Sequence, residues 1–140
     1  MEGTRVIDVM AREVTTLQRN EKLSLADDIM NLGRIRHLPV LDDDGKDLVG
    51  IVSQRDLFRG ALAQAIGYAQ HARRKLLDTL KVKDVMTTAV TTTTPDTLLV
   101  EAARVLMKRK IGCLPVIENG RLVGILTEGD FVALFARTAK

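Results

Sequence analysis

Short β-branched runs, helical apolar stripes and hairpin signals follow one another along the chain in a fixed order, and the order occurs twice. Val14-Thr15-Thr16-Leu17 and Val90-Thr91-Thr92-Thr93 predict short strands, because β-branched side chains suit a pleated surface. After each run, apolar residues recur at helical spacing: Leu23, Ala26, Ile29 and Met30, then Leu99, Ala102, Val105 and Leu106. These stripes predict helices over 23–34 and 98–110, with Asn20 and Asp96-Thr97 where N-terminal caps are expected. A hairpin follows each helix. His37–Leu41 and Leu48–Val52 flank Asp44-Gly45, and Cys113–Ile117 and Leu122–Leu126 flank Asn119-Gly120. Asp-Gly and Asn-Gly are strong hairpin signals because they tolerate positive φ. Pro39 and Pro115 lie inside the first strand of each hairpin, which predicts an edge position or a strand start, since proline donates no hydrogen bond. Phe58, Leu62, Ala65, Ala69, Ala72 and Leu76 step by fours and threes and predict a longer helix joining the halves. Phe131, Leu134 and Phe135 predict a shorter one at the end.

The two halves are a repeat. An offset of 76 lays Val6, Asp8, Val9 and Met10 on Val82, Asp84, Val85 and Met86, and Leu38-Pro39-Val40 on Leu114-Pro115-Val116. Beyond the hairpin turn the offset falls to 74, and Leu48-Val49-Gly50-Ile51 matches Leu122-Val123-Gly124-Ile125. The turn Asp42–Asp47 is two residues longer than Glu118–Arg121, and turns are where length changes are tolerated. The expected division is repeat 1 over 1–59, a connecting helix over 60–80 and repeat 2 over 81–140. Each repeat has about 55 residues, near the lower limit for independent folding, so one pseudo-symmetric globule is expected.

Composition narrows the class. Hydrophobic residues make up 46% and aromatics 3%, with no Trp, so the core must be aliphatic. A net charge of +3 is too small to argue for nucleic acid by itself. A single cysteine, Cys113, excludes an intramolecular disulfide and suits a reducing setting. No apolar run approaches the ~18 residues of a membrane span, and the N-terminus has no signal core. A cytoplasmic protein is the expectation. His37 and His71 lack ligand-spaced partners, so no metal site is expected. No nucleophile–base pair, catalytic cofactor motif or Gly-rich phosphate loop is visible, so no enzymatic activity is expected.

The residues that carry chemistry are Ser53-Gln54-Arg55-Asp56 and its echo Thr127-Glu128-Gly129-Asp130. Both follow a strand and open a helix. A hydroxyl followed three residues later by a carboxylate approximates a capping box. The same arrangement is an anion site: the hydroxyl contacts phosphate or ribose, and the carboxylate accepts from vicinal ribose hydroxyls. Arg55 adds a fixed charge that can reach phosphate. The two readings are compatible. The positions are unequal, since Arg36, His37 and Arg55 correspond to Gly112, Cys113 and Gly129. By charge alone an anionic phosphate prefers the first motif. Gly112 equally permits close approach of a ligand.

The order Asp-Val-Met, Val-Thr-Thr, Leu-Pro-Val, Leu-Val-Gly-Ile, Ser/Thr-x-x-Asp resembles the cystathionine-β-synthase (CBS) domain, present twice as in a CBS pair or Bateman module. The resemblance covers nearly the whole chain. It implies an α+β fold of two pseudo-symmetric βαββα repeats packed through their sheets, with clefts that bind AMP, ADP, ATP or S-adenosylmethionine. It places ribose on Asp56 and Asp130, and phosphate or ribose on Ser53 and Thr127. It places the base near Arg36, His37 and Pro39, and near Gly112, Cys113 and Pro115, with Thr15 and Thr91 as further contacts. It also implies a homodimer formed by helices 23–34 and 98–110, and a regulated partner protein. Two other readings stand beside this sensor. One is a nucleic-acid-binding module using the basic segment 73–83, which contains Arg73, Arg74, Lys75, Lys81 and Lys83. The other is a dimerisation scaffold with empty clefts.

Overall fold

A computed structural model describes residues 2–57 and 70–138. It divides into two compact units, Thr15–Val90 and Met1–Val14 together with Thr91–Lys140. The spatial division crosses the sequence repeats 1–59 and 81–140. Each repeat's opening segment belongs with the other repeat's hairpin.

In the Thr15–Val90 unit, β1 (Leu17–Gln18), β2 (His37–Leu41) and β3 (Leu48–Ser53) form a sheet in that order. Strand β1 runs parallel to β2 with Leu17 beside Val40, and β3 runs antiparallel with Ile51 opposite Pro39. Helix α2 (Leu23–Gly33), which follows the four-residue α1 (Val6–Val9) of the other unit, buries Leu23, Ala26 and Met30 and half-buries Ile29, as its stripe predicts. Helix α3 (Gln70–Thr79) adds the fully buried Leu77, and α4 (Val82–Val85) adds Val82. Of the predicted joining helix, Phe58, Leu62, Ala65 and Ala69 lie outside the described residues.

The second unit repeats the plan. Helix α5 (Leu99–Arg109) buries Leu99, Ala102 and Leu106 over the hairpin of β4 (Cys113–Glu118) and β5 (Arg121–Thr127). Val6 and Met10, from the start of the chain, complete this core. Helix α6 (Glu128–Thr138) half-buries Phe131 and Leu134 but leaves Phe135 exposed. The hairpin turn has Asn119 at φ 54° and Gly120 at φ 76°, the doubly positive geometry that Asn-Gly favours.

The early strands are shorter than the β-branched runs predict. Only Leu17–Gln18 forms a strand in the first case, and in the second a single residue, Thr93, bridges Val116. The prolines set this limit. The Thr93 N–H donates to the Pro115 carbonyl at 3.0 Å, and the Ile117 N–H donates to the Thr93 carbonyl at 2.9 Å. One step earlier in this register, the Thr91 carbonyl would need an N–H from Pro115, which has none. Pro39 faces Thr15 in the same way through the Leu17–Val40 register. The expectation of an edge position or a strand start is therefore corrected for Pro39: β2 is the middle strand, Pro39 lies inside it, and it sits where the ladder to β1 stops. No ladder bond to β3 is lost either, because Ile51 exchanges both of its backbone bonds with Thr87 at 2.9 Å. Ile125 does the same with Ala11.

The expected side-chain caps of α2 and α5 are also corrected. Lys22 and Leu98 occupy the N-cap positions, and neither side chain bonds there. The first helical N–H groups, of Leu23 and Leu99, donate instead to the Leu80 and Thr4 carbonyls, both at 2.8 Å. A backbone carbonyl from the neighbouring segment removes the need for a side-chain acceptor. Asn20 donates to Asp43 at 3.0 Å, and the hydroxyls of Thr94 and Thr97 pair at 2.7 Å.

The repeated Asp-Val-Met and Leu-Val-Gly-Ile motifs meet in both units. A Cβ on Gly50 would lie 2.6 Å from Met86 Sδ and 3.1 Å from the Thr87 carbonyl oxygen. A Cβ on Gly124 would lie 2.6 Å from Met10 Sδ and 2.8 Å from the Ala11 carbonyl oxygen. The methionine can shift; the backbone, held by the Thr87–Ile51 and Ala11–Ile125 bonds, cannot. Gly124→Ala is expected to destabilise by about 1–3 kcal/mol, the cost of overpacking, and Gly50→Ala by less. Urea midpoints at unchanged m-value would check the order.

Candidate functional site

Each hairpin brings its Ser/Thr-x-x-Asp motif to one place. His37, the first residue of β2, lies opposite Ser53, the last of β3, and Cys113 lies opposite Thr127. The next residue ties the corner. The Gln54 N–H donates to the Arg36 carbonyl at 2.8 Å, and the Glu128 N–H donates to the Gly112 carbonyl at 3.0 Å. Arg36, His37, Ser53, Arg55 and Asp56 therefore converge at one end of the first hairpin. Gly112, Cys113, Thr127 and Asp130 converge at the equivalent end of the second. The ties through Gln54 and Glu128 are absent from the sequence reading, because a backbone bond depends on hairpin register and leaves no residue signature.

The capping box is reciprocal in the first cluster and one-sided in the second. In the first cluster, Asp56 Oδ2 accepts the Ser53 N–H at 2.9 Å and Ser53 Oγ accepts the Asp56 N–H at 3.0 Å. In the second, Asp130 Oδ2 accepts the Thr127 N–H at 2.8 Å and the Thr127 hydroxyl at 3.3 Å. Both aspartates are half-buried, and their Oδ2 atoms alone take part in these bonds. The same device holds the short helices α1 and α4, where Asp8 and Asp84 accept the N–H groups of Arg5 and Lys81 at 2.8 and 2.9 Å.

Arg36 and Arg55 are exposed, His37 is half-buried and Cys113 is buried. Pro39 and Pro115 sit two residues further into their sheets, both buried. Thr15 is exposed and Thr91 half-buried, and no side-chain hydrogen bond ties either to a cluster among the described residues. No metal-binding group of three or more His, Cys, Asp or Glu residues occurs among the described residues.

Within the basic segment 73–83, Arg74 is paired, while Lys75, Lys81 and Lys83 are exposed. Arg74 donates to both carboxylate oxygens of Asp28 on α2, at 2.7 and 3.1 Å, and lies 4.0 Å from Asp27 and Asp78. The hydrogen bonds from Arg74 hold the Asp28 carboxyl below its ordinary pKa and raise that of the guanidinium. Among the described residues, no helix is long and apolar enough to cross a membrane.

A family model described as the CBS domain matches residues 6–63 and 82–137. The AcuB protein of Vibrio cholerae has a crystal structure similar over 96% of this chain and 92% of its own, with 38% identity and a TM-score of 0.80. The CBS domain pair of protein MJ0100, solved with 5′-methylthioadenosine and S-adenosylmethionine, is 29% identical, with 96% and 98% of the two chains covered and a TM-score of 0.80. CBSX2, solved with AMP, is 30% identical over 99% and 100%, with a TM-score of 0.78. The homoserine O-acetyltransferase of Methanococcoides burtonii is 32% identical over 91% of this chain, which spans only 23% of that enzyme.

The caps predict a measurable structural role. Ser53→Ala removes the acceptor of the Asp56 N–H, and Asp130→Ala removes that of the Thr127 N–H. Each is expected to cost about 1 kcal/mol in urea denaturation.

Proposed function

The chain belongs to the CBS-domain family, and we propose that it is a regulatory module that binds an adenosyl ligand at the two Ser/Thr-x-x-Asp corners and signals the bound state to a partner protein. The observation that carries this reading is the convergence, at each hairpin end, of a capped aspartate, a hydroxyl residue and the first residue of the facing strand. Oδ2 of Asp56 and Oδ2 of Asp130 are committed to backbone N–H groups, which fixes each carboxylate in place. A carboxylate has two acceptor oxygens, so the second is oriented for vicinal ribose hydroxyls without loss of the cap. In the first corner, the Ser53 hydroxyl and the exposed Arg36 and Arg55 supply donors for phosphate. Two similar CBS proteins hold adenosyl compounds, which supports the ligand class: AMP, ADP, ATP or S-adenosylmethionine. The ligand acts as a regulator, not as a catalytic cofactor. It shifts the module between states by its differential affinity for them.

The exposed helix faces support a homodimer. Leu25 and Leu32 are two turns apart on α2, and Val100 and Met107 are two turns apart on α5; Leu32 is 88% exposed and Met107 79%. Apolar stripes of this kind mark association surfaces. Arg74, one of the five cations of segment 73–83, is engaged by Asp28, which reduces the charge that segment offers to a nucleic acid.

Calorimetry with AMP, ADP, ATP and S-adenosylmethionine is expected to find at least one ligand. The Asp56→Ala, Asp130→Ala double variant should lower its affinity about tenfold or more, since hydrogen bonds to a charged group are worth roughly 1.5–3 kcal/mol each. Unchanged affinity would remove the assignment of these residues. A ligand that binds must also raise the melting temperature by mass action. In light scattering the chain is expected to be dimeric, and the Leu32→Glu, Met107→Glu variant monomeric.

A further inference from the structure

The two corners share one backbone and differ in charge. Gln54 and Glu128 donate to the carbonyls of equivalent residues, and Asp56 and Asp130 cap equivalent N–H groups. This symmetry of the backbone leaves the side chains as the distinguishing variable. The first corner carries the guanidinium groups of Arg36 and Arg55 against the single carboxylate of Asp56. The second has Gly112 and Gly129 in place of both arginines, and Glu128 in place of Gln54, so two carboxylates stand there with no cation at the equivalent positions. Arg34 and Lys110, the left-handed residues that end α2 and α5, carry the same charge and do not distinguish the corners. Arg36, Arg55 and Glu128 are all exposed, so none of the three is needed to fill a core. Gly129 is not required by space either: a Cβ there would meet only Thr127 Oγ1 at 3.6 Å, an ordinary contact.

We propose that the corners are charge-matched to different adenosyl ligands. The Arg36/Arg55 corner takes a nucleoside bearing 5′-phosphate, and the Glu128/Asp130 corner takes one whose 5′ substituent carries no negative charge. This rests on the reading of both corners as adenosyl sites. Each arginine adds a charge-assisted hydrogen bond to a phosphate oxygen. Glu128 and Asp130 repel the same phosphate, which discriminates by unfavourable as well as favourable contacts.

The test is calorimetry of the full chain with AMP and, separately, 5′-methylthioadenosine, which share the nucleoside and differ at the 5′ position. Arg36→Gln together with Arg55→Gln is expected to weaken AMP about a hundredfold, roughly tenfold per cation. Binding of 5′-methylthioadenosine should stay unchanged in that variant. Glu128→Gln with Gly129→Arg is expected to admit a second equivalent of AMP per chain. Urea midpoints of both variants would confirm that they fold. If AMP binding survives the double arginine variant unchanged but is lost in Asp56→Ala, charge matching is overturned while the adenosyl site stands. If both corners of the unmodified chain bind AMP with equal affinity, charge matching is again overturned. If Asp56→Ala leaves AMP unaffected, or neither compound binds, charge matching is overturned; the adenosyl reading falls only if the Asp56→Ala, Asp130→Ala double variant also binds AMP, ADP, ATP and S-adenosylmethionine unchanged, or none of them binds.

Discussion

The fold depends on two places where one backbone crosses another with no room for a side chain. At Gly124 the carbonyl of Ala11 comes so close that a methyl group would not fit, and at Gly50 the carbonyl of Thr87 does nearly the same. Close approach lets Ala11 exchange hydrogen bonds with Ile125 and lets Thr87 exchange them with Ile51, so each hairpin gains a neighbour. The same crossing seats Met10 in one core and Met86 against the other. Neither repeat, taken as a contiguous stretch, owns a complete core: Leu77 and Val82 fill the unit of the first hairpin, and Val6 fills that of the second. Repeats of about 55 residues bury too little surface to tolerate such a loss.

Those crossings also position the candidate site. Strand β3, bonded to Thr87 through Ile51, delivers Ser53 to the end of the sheet, and β5, bonded to Ala11 through Ile125, delivers Thr127. From there, in the proposed function, a single motif serves two purposes. The aspartate three residues on satisfies the helix start, and the bonds that do so orient its carboxylate. A binding group held by the hydrogen bonds of its own helix start is preorganised, which lowers the ordering cost of ligand capture. Asp8 and Asp84 show that the device alone is structural, since it also holds α1 and α4. What sets Asp56 and Asp130 apart is their company: the strand ends at His37 and Cys113 and the side chains around them.

The charged segment near the middle of the chain illustrates how tertiary structure reassigns a sequence feature. Read linearly, Arg73-Arg74-Lys75 is a basic run. In the fold, Arg74 reaches back to Asp28, a residue far away in sequence, and ties α3 to α2. An exposed pair of this kind contributes at most about 1 kcal/mol, so its consequence is local orientation more than stability.

The sequence by itself determined the local order: two helices with their buried stripes, two hairpins with their turns, and the repeat that relates them. These features follow from periodicity and from the φ preferences of Asn and Gly, which act within a few residues. It also identified the Ser53/Asp56 and Thr127/Asp130 pairs, because a capping box is a contact three residues long. Tertiary structure decided the rest. The early strands began only at Leu17 and Thr93 because the prolines that cut them short lie on another strand. The caps of α2 and α5 came from Leu80 and Thr4, and the need for Gly50 and Gly124 came from Met86 and Met10. In each case the deciding atom belongs to a segment remote in sequence, and nothing in the local pattern of residues encodes its distance.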